Sequence, residues 1–163
     1  MINFQSFHGI VTIISNFLIN ETSDQNGCYK LMSVQDDHRA TVNFVISPLT
    51  YFVEHEIIKT GDIITGFYDA CAPVPLIFPP QFRAIVIAKN FPSRNIKVDY
   101  FNNELVSEDN MLKLNISHST QILIQNGQPF DKNPANHNLI VIYGPTTRSI
   151  PAQTIPYKII VMC

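Results

Sequence analysis

Apolar residues along this chain fall in short runs separated by turn residues, and no long segment carries a convincing amphipathic helical period. Such runs predict strands. Gly9 to Ile14 is apolar and β-branched, and Tyr29 to Val34 alternates larger apolar with polar residues. Thr41 to Ile46 stops at Ser47-Pro48, because proline has no amide to donate to a ladder. Lys59-Thr60-Gly61-Asp62 reads as a turn that launches Ile63 to Tyr68, and Arg83 to Ala88 is a further strand. Leu49 to Ile58 fits a strand or a short helix, since its period decides neither.

The second half continues the pattern. Ile96 to Phe101 is followed by Asn102-Asn103, a two-residue hairpin loop, because Asn tolerates positive φ. Met111 to Ile116 alternates, and Ile122-Leu123-Ile124 leads into Asn126-Gly127, the strongest short hairpin signal in the chain. Leu139 to Tyr143 and Tyr157 to Met162 are the last predicted strands.

Parts of the two halves can be laid on one another. Tyr68 and Tyr143 each end an apolar strand, and Phe82 to Ile87 and Tyr157 to Met162 follow at the same offset of 75. Between them, Pro75 and Pro80 match Pro151 and Pro156 at an offset of 76. Upstream, Val42, Phe44, Ile46, Ser47 and Thr50 match Leu112, Leu114, Ile116, Ser117 and Thr120 at an offset of 70. The expectation is a duplication of strand, proline-rich connection and strand, with units at 1–90 and 91–163. A period this long suits tandem small domains better than a solenoid of short repeats.

The order of strands in residues 7–90, with an ambiguous segment between the third and fourth, resembles the OB-fold, a five-stranded Greek-key barrel. The resemblance covers about half the chain and rests on order and turn placement. It implies an all-β chain of two tandem OB-like β-barrel units, the second shortened or modified where Asn126-Gly127 puts a hairpin. An architecture of this kind does not name a function.

Composition bounds the rest. The chain has 163 residues, 45% hydrophobic and 15% charged, which suffices for a packed core. Eleven Lys and Arg stand against 13 Asp and Glu, with no basic run to track a phosphate backbone. The opening MINFQSFHG lacks a basic stretch ahead of an apolar one, and Ile10 to Ile19 is too short and polar to span a bilayer. With Cys28, Cys71 and Cys163 unable to pair completely, the expectation is a cytoplasmic protein with reduced thiols and no membrane association. The sequons at Asn20 and Asn115 are then expected to be chance.

Two loops carry the distinctive chemistry. Asp69 to Gln81 holds four prolines around Val74, Leu76, Ile77 and Phe78, an apolar segment pre-ordered for contact with a partner or a second subunit. Gly144 to Ile155 is polar, and Thr146, Thr147, Ser149 and Gln153 surround Arg148 as a candidate anion or sugar-phosphate site. The competing readings are a loop packed over its own barrel and hydroxyls that cap their own turns. Glu54-His55-Glu56 is the one dense metal-capable cluster, but alternation along a strand would split it between faces. Ser117-His118-Ser119 is adjacent in sequence only, and Asp69 beside Cys71 would raise a thiol pKa rather than activate it. No phosphate loop, dinucleotide fingerprint or zinc spacing is present, so no metal and no cofactor is expected.

Three functions remain open. The favoured one is a non-enzymatic binding or assembly module that forms a homo-oligomer, or contacts a partner, through the proline-rich loops. Single-stranded nucleic acid or another anionic ligand is the second, disfavoured by the balanced charge. A small-molecule enzyme with a site between the two units is the third, supported only by scattered polar residues.

Overall fold

The computed structural model describes residues 1–18, 22, 24 and 26–163. The sequon at Asn20 lies outside the described residues. The chain divides into two compact units, Met1–Asn90 and Phe91–Cys163. Both are all-β, with one short 3-10 turn at Val53–His55 among the described residues. None of the described helical segments is long and apolar enough to cross a membrane.

The first unit contains β1 (Phe4–Asn16), β2 (Lys30–Gln35), β3 (Thr41–Ile46), β4 (Tyr51–Phe52), β5 (Ile63–Asp69), β6 (Gln81–Arg83) and β7 (Val86–Lys89). They form one sheet in the order β4-β7-β5-β1-β2-β3-β6. β1 is long enough to pair with β5 through its first half and β2 through its second, with a bulge between Val11 and Ile13. A bulge changes which face the following residues present. Val11 therefore points into the core while Ile10 and Ile13 are exposed. Alternate residues Val34 and Met32 on β2, Val42 and Phe44 on β3, Ile64 on β5 and Ile87 on β7 complete that core. Gly66 faces Phe44 so closely that an added Cβ would lie 2.5 Å from the ring.

The second unit contains β8 (Asn95–Phe101), β9 (Leu112–Leu114), β10 (Gln121–Ile124), β11 (His137–Tyr143), β12 (Ala152–Thr154) and β13 (Lys158–Met162). Its strands make a four-stranded sheet, β10-β13-β11-β8, and a two-stranded one, β12-β9. Phe101, Leu112, Leu114, Leu139, Val141, Ile159 and Val161 form its core. Asn126-Gly127 turns the chain after β10, with the Gly127 N–H donating to Ile124 O and the Ile124 N–H to Gln128 O.

One bonding scheme is used in both units. β3 and β4 run parallel to β6 and β7, and β9 and β10 run parallel to β12 and β13. A Ser-x-x-Thr turn joins the first two strands of each set. Ser47 N–H donates to Thr50 Oγ1 (3.0 Å), and Thr50 Oγ1 donates to Ala84 O (2.9 Å). Ser117 N–H donates to Thr120 Oγ1 (3.3 Å), and Thr120 Oγ1 donates to Pro156 O (2.7 Å). The next residue repeats the match: Tyr51 N–H meets Ile85 O, and Gln121 N–H meets Tyr157 O. Ile85 N–H in turn donates to Phe67 O, and Tyr157 N–H to Ile142 O. Where the first unit has all of β2, the second keeps only the bridges Phe101–Ser107 and Val106–Lys113.

These bonds correct the sequence alignment. Tyr157 stands where Ile85 stands, not Phe82, and Pro156 stands where Ala84 stands, not Pro80. By the same register Gln153 matches Gln81. Pro151 thus matches Pro79, and both peptide bonds, Phe78–Pro79 and Ile150–Pro151, are cis. The second connection is three residues shorter than the first. Tyr157 to Met162 and Phe82 to Ala88 are nearly continuous apolar runs, which match one another at several steps, so apolar matching alone left the register open.

The OB-like resemblance and the two tandem barrels it implied are also corrected. The seven-stranded row ends at β4 and β6, which share no ladder, and the second unit splits its strands between separate sheets. Neither is a closed barrel. The parallel stacking of β3–β4 on β6–β7 and of β9–β10 on β12–β13 is solenoid-like instead. The Leu49–Ile58 stretch resolves into β4 and the 3-10 turn, where Glu54 and His55 both have positive φ. The predicted strand from Arg83 to Ala88 is broken at Ala84–Ile85, because those two residues serve the turn and β5.

Two predictions test this frame. Thr50→Val and Thr120→Val each remove a hydroxyl that satisfies two backbone groups, and each is expected to destabilise its unit by about 1–3 kcal/mol in urea unfolding. Gly66→Ala drives a methyl into the Phe44 ring and is expected to cost about 1–3 kcal/mol by the same measurement.

Candidate functional site

The first unit carries a groove of about 520 Å³. Phe17 and Leu18 after β1, Tyr29 before β2, Val45 on β3 and Leu49 in the Ser-x-x-Thr turn form part of its wall. Pro73, Val74 and Pro75 of the proline-rich loop close one side, and Gln81, Phe82 and Arg83 of β6 run along another. Among the described residues, Arg83 is the one charged residue lining it. Tyr68 stacks on Phe82 with ring centroids 4.0 Å apart, and Phe44 packs against Tyr68 in turn. The groove's aromatic wall is thereby tied to the buried core of the sheet.

The loop continues from this groove into solvent. Leu76 and Phe78 are 101% and 91% exposed, with Ile77 between them also exposed. Val74 lines the groove, so the loop both walls it and projects past it. Asp69 anchors the start of the loop by accepting from the N–H groups of Asn3 and Cys71. Leu49, on the groove wall, is 90% exposed as well. Large apolar side chains left this bare are candidates for a contact surface.

The second unit tests whether the frame itself requires these apolar residues. Positions matching Val45, Leu49 and Phe82 are occupied by Asn115, Ser119 and Thr154. They bond locally: Asn115 Nδ2 donates to Gln153 Oε1, Ser119 Oγ meets Ser117 Oγ, and Thr154 Oγ1 donates to Pro145 O. One backbone scheme thus forms with a polar face at these positions in one unit and an apolar groove in the other. Phe78 and Ile150 are the exception, both being exposed apolar residues before a cis proline.

Within the polar loop, Thr147 Oγ1 contacts Ser149 Oγ and accepts from Gln153 N–H, while Ser149 Oγ donates to Pro151 O. These hydroxyls shape the loop. Thr146 and Arg148 are exposed at its surface. The remaining sequence candidates are separate from one another. His55 lies edge-on to Tyr51, Ser117 and Ser119 belong to a turn, and Cys71 is exposed. No group of three or more metal-capable side chains exists among the described residues.

Sequence reading missed a polar cluster in the second unit. Asp99 on β8 is buried, and its carboxylate accepts from the N–H groups of Tyr100 and Asp109. Burial pushes the Asp99 carboxyl above the usual carboxylate value, against the pull of those two amides. Burial also acts to raise Asp109, but the Lys97 ammonium, the Ser107 hydroxyl and the Met111 amide hold it below that value. Burial raises the Tyr143 phenol too, with the Asp109 charge adding to it. The bonds tie the turn at 107–111 to β8, a structural role. Alternation within β8 puts Asp99 on the same face as Phe101, a core position, and could have flagged it.

The two carboxylates have opposite pH signatures. A depressed carboxyl stabilises the fold above its unfolded pKa, and that contribution is lost as pH falls through the folded value. A raised one contributes below its unfolded pKa, and that contribution is lost as pH rises through the folded value. Asp99→Asn removes the second term, so the variant is expected to gain stability relative to wild type as pH goes from about 3 to about 7. Urea midpoints across that range measure the slope.

Comparison with protein-family models, with curated proteins and with solved structures found no match, so the groove and its loop stand as the features on which a function is argued.

Proposed function

We propose that this protein is a non-enzymatic assembly module that self-associates through the proline-rich loop of its first unit. The observation that carries this reading is the pair of almost wholly exposed anchors, Leu76 and Phe78, continuous with an apolar groove. Prolines at 73, 75, 79 and 80 restrict the loop before any contact is made, so little chain entropy is lost on binding. The near-neutral balance of charge does not oppose the approach of two copies. Among the described residues lining the groove, Arg83 is the one charge, which gives no convergent set of titratable groups of the kind an enzyme would need.

Sedimentation of the intact chain and of a Leu76→Asp, Phe78→Asp double variant tests the reading. The wild type is expected to sediment as an oligomer and the variant as a monomer. Both side chains are exposed, so their replacement spares the core. A monomeric wild type, or a variant as oligomeric as the wild type, would show the reading to be wrong.

A further inference from the structure

We infer that the groove of the first unit is the receptor for the Leu76–Phe78 segment of a second copy, in a reciprocal two-fold pair. This rests on the self-association proposed above and names where the anchors go.

Three observations point to that occupant. First, the loop cannot fill its own groove in this conformation, because Pro73 to Pro75 form the wall and the next three residues project beyond it. Second, receptor and ligand match in chemistry. Phe17, Tyr29 and Phe82 give the groove an aromatic lining, the kind of surface on which proline-rich apolar segments dock. The segment from Val74 to Pro80 is such a sequence and carries no charge. Third, proline has no N–H, so the segment is poorly suited to joining a sheet edge as a strand. Side-chain insertion into a groove is the mode left to it.

Symmetry supplies the closure. Wall and anchor are contiguous on the chain, so a two-fold axis beside the loop lets each copy give its anchors and receive its partner's. Such an isologous contact is satisfied at two copies and exposes no further open groove. A groove of this volume is within the range that encloses a few side chains.

Leu49 provides the discriminating variant. It lines the groove, is 90% exposed, and matches a serine in the second unit, so the frame does not need it. Leu49→Asp is expected to weaken self-association by about tenfold or more, the loss typical of a central apolar contact. Leu49→Ser, which installs the residue type found at 119, is expected to weaken it less and serves if the aspartate perturbs folding. Mixing then separates receptor from anchor. The Leu76→Asp, Phe78→Asp chain keeps its groove but lacks anchors, and the Leu49→Asp chain keeps anchors but has a damaged groove. Labelled Leu49→Asp is expected to bind the anchorless chain more tightly than either variant binds itself, because the mixed pair retains one intact contact.

The inference is overturned if both Leu49 variants associate as the wild type does. It is equally overturned if the mixed pair binds no more tightly than each variant alone. In either case the loop-mediated association could still stand on the double-variant result. A monomeric wild type would instead remove the association itself.

Discussion

A threonine hydroxyl in each unit joins the turn after one strand to a carbonyl on the chain running beside it. Thr50 reaches Ala84 O, and Thr120 reaches Pro156 O. Each hydroxyl also accepts from the serine amide three residues earlier, so one side chain closes its turn and docks it. The consequences spread along the chain. The docked carbonyl sits between β6 and β7, or between β12 and β13, and forces the break that divides each pair. The residue after it bonds to both neighbours, Ile85 to Tyr51 and Phe67, Tyr157 to Gln121 and Ile142. Parallel strands this short need such a pin, because two or three ladder bonds do not hold register by themselves.

Once the frame is held by backbone bonds and paired hydroxyls, side chains at matching positions are free to differ. The two units use that freedom in opposite ways. In the second, Asn115, Ser119 and Thr154 bond to Gln153, Ser117 and Pro145 O. In the first, Val45, Leu49 and Phe82 line a groove that is open among the described residues. Burying apolar surface is favourable, and leaving it bare forgoes that gain. Val45 is buried and Phe82 packs on the core, so it is Leu49, bare where the matching turn carries a serine, that argues for contact.

The loop at 69–81 completes that argument through what proline removes. Four prolines delete four amide donors, which prevents the loop from pairing as a regular strand. Asp69 fixes its start and β6 its end, so the exposed segment is short and bounded.

Much of the fold was legible in the amino-acid order. The β-branched runs specified an all-β chain, Ser47-Pro48 ended β3, and the Asn126-Gly127 turn followed β10. Leu76 and Phe78, which the structure leaves exposed, also stood out in the sequence as apolar residues among prolines. Local chemistry sufficed for these, because turn geometry and strand propensity act over a few residues. Tertiary structure alone decided the pairing. β4 and β12 are too short to leave a pattern, and the true match of Tyr157 with Ile85 depends on carbonyls distant in sequence. It also decided against barrels, because closure is a property of which strand edges meet. The groove was hidden for the same reason: Phe17, Leu49, Val74 and Phe82 are scattered along the chain, and only the folded sheet brings them to one surface.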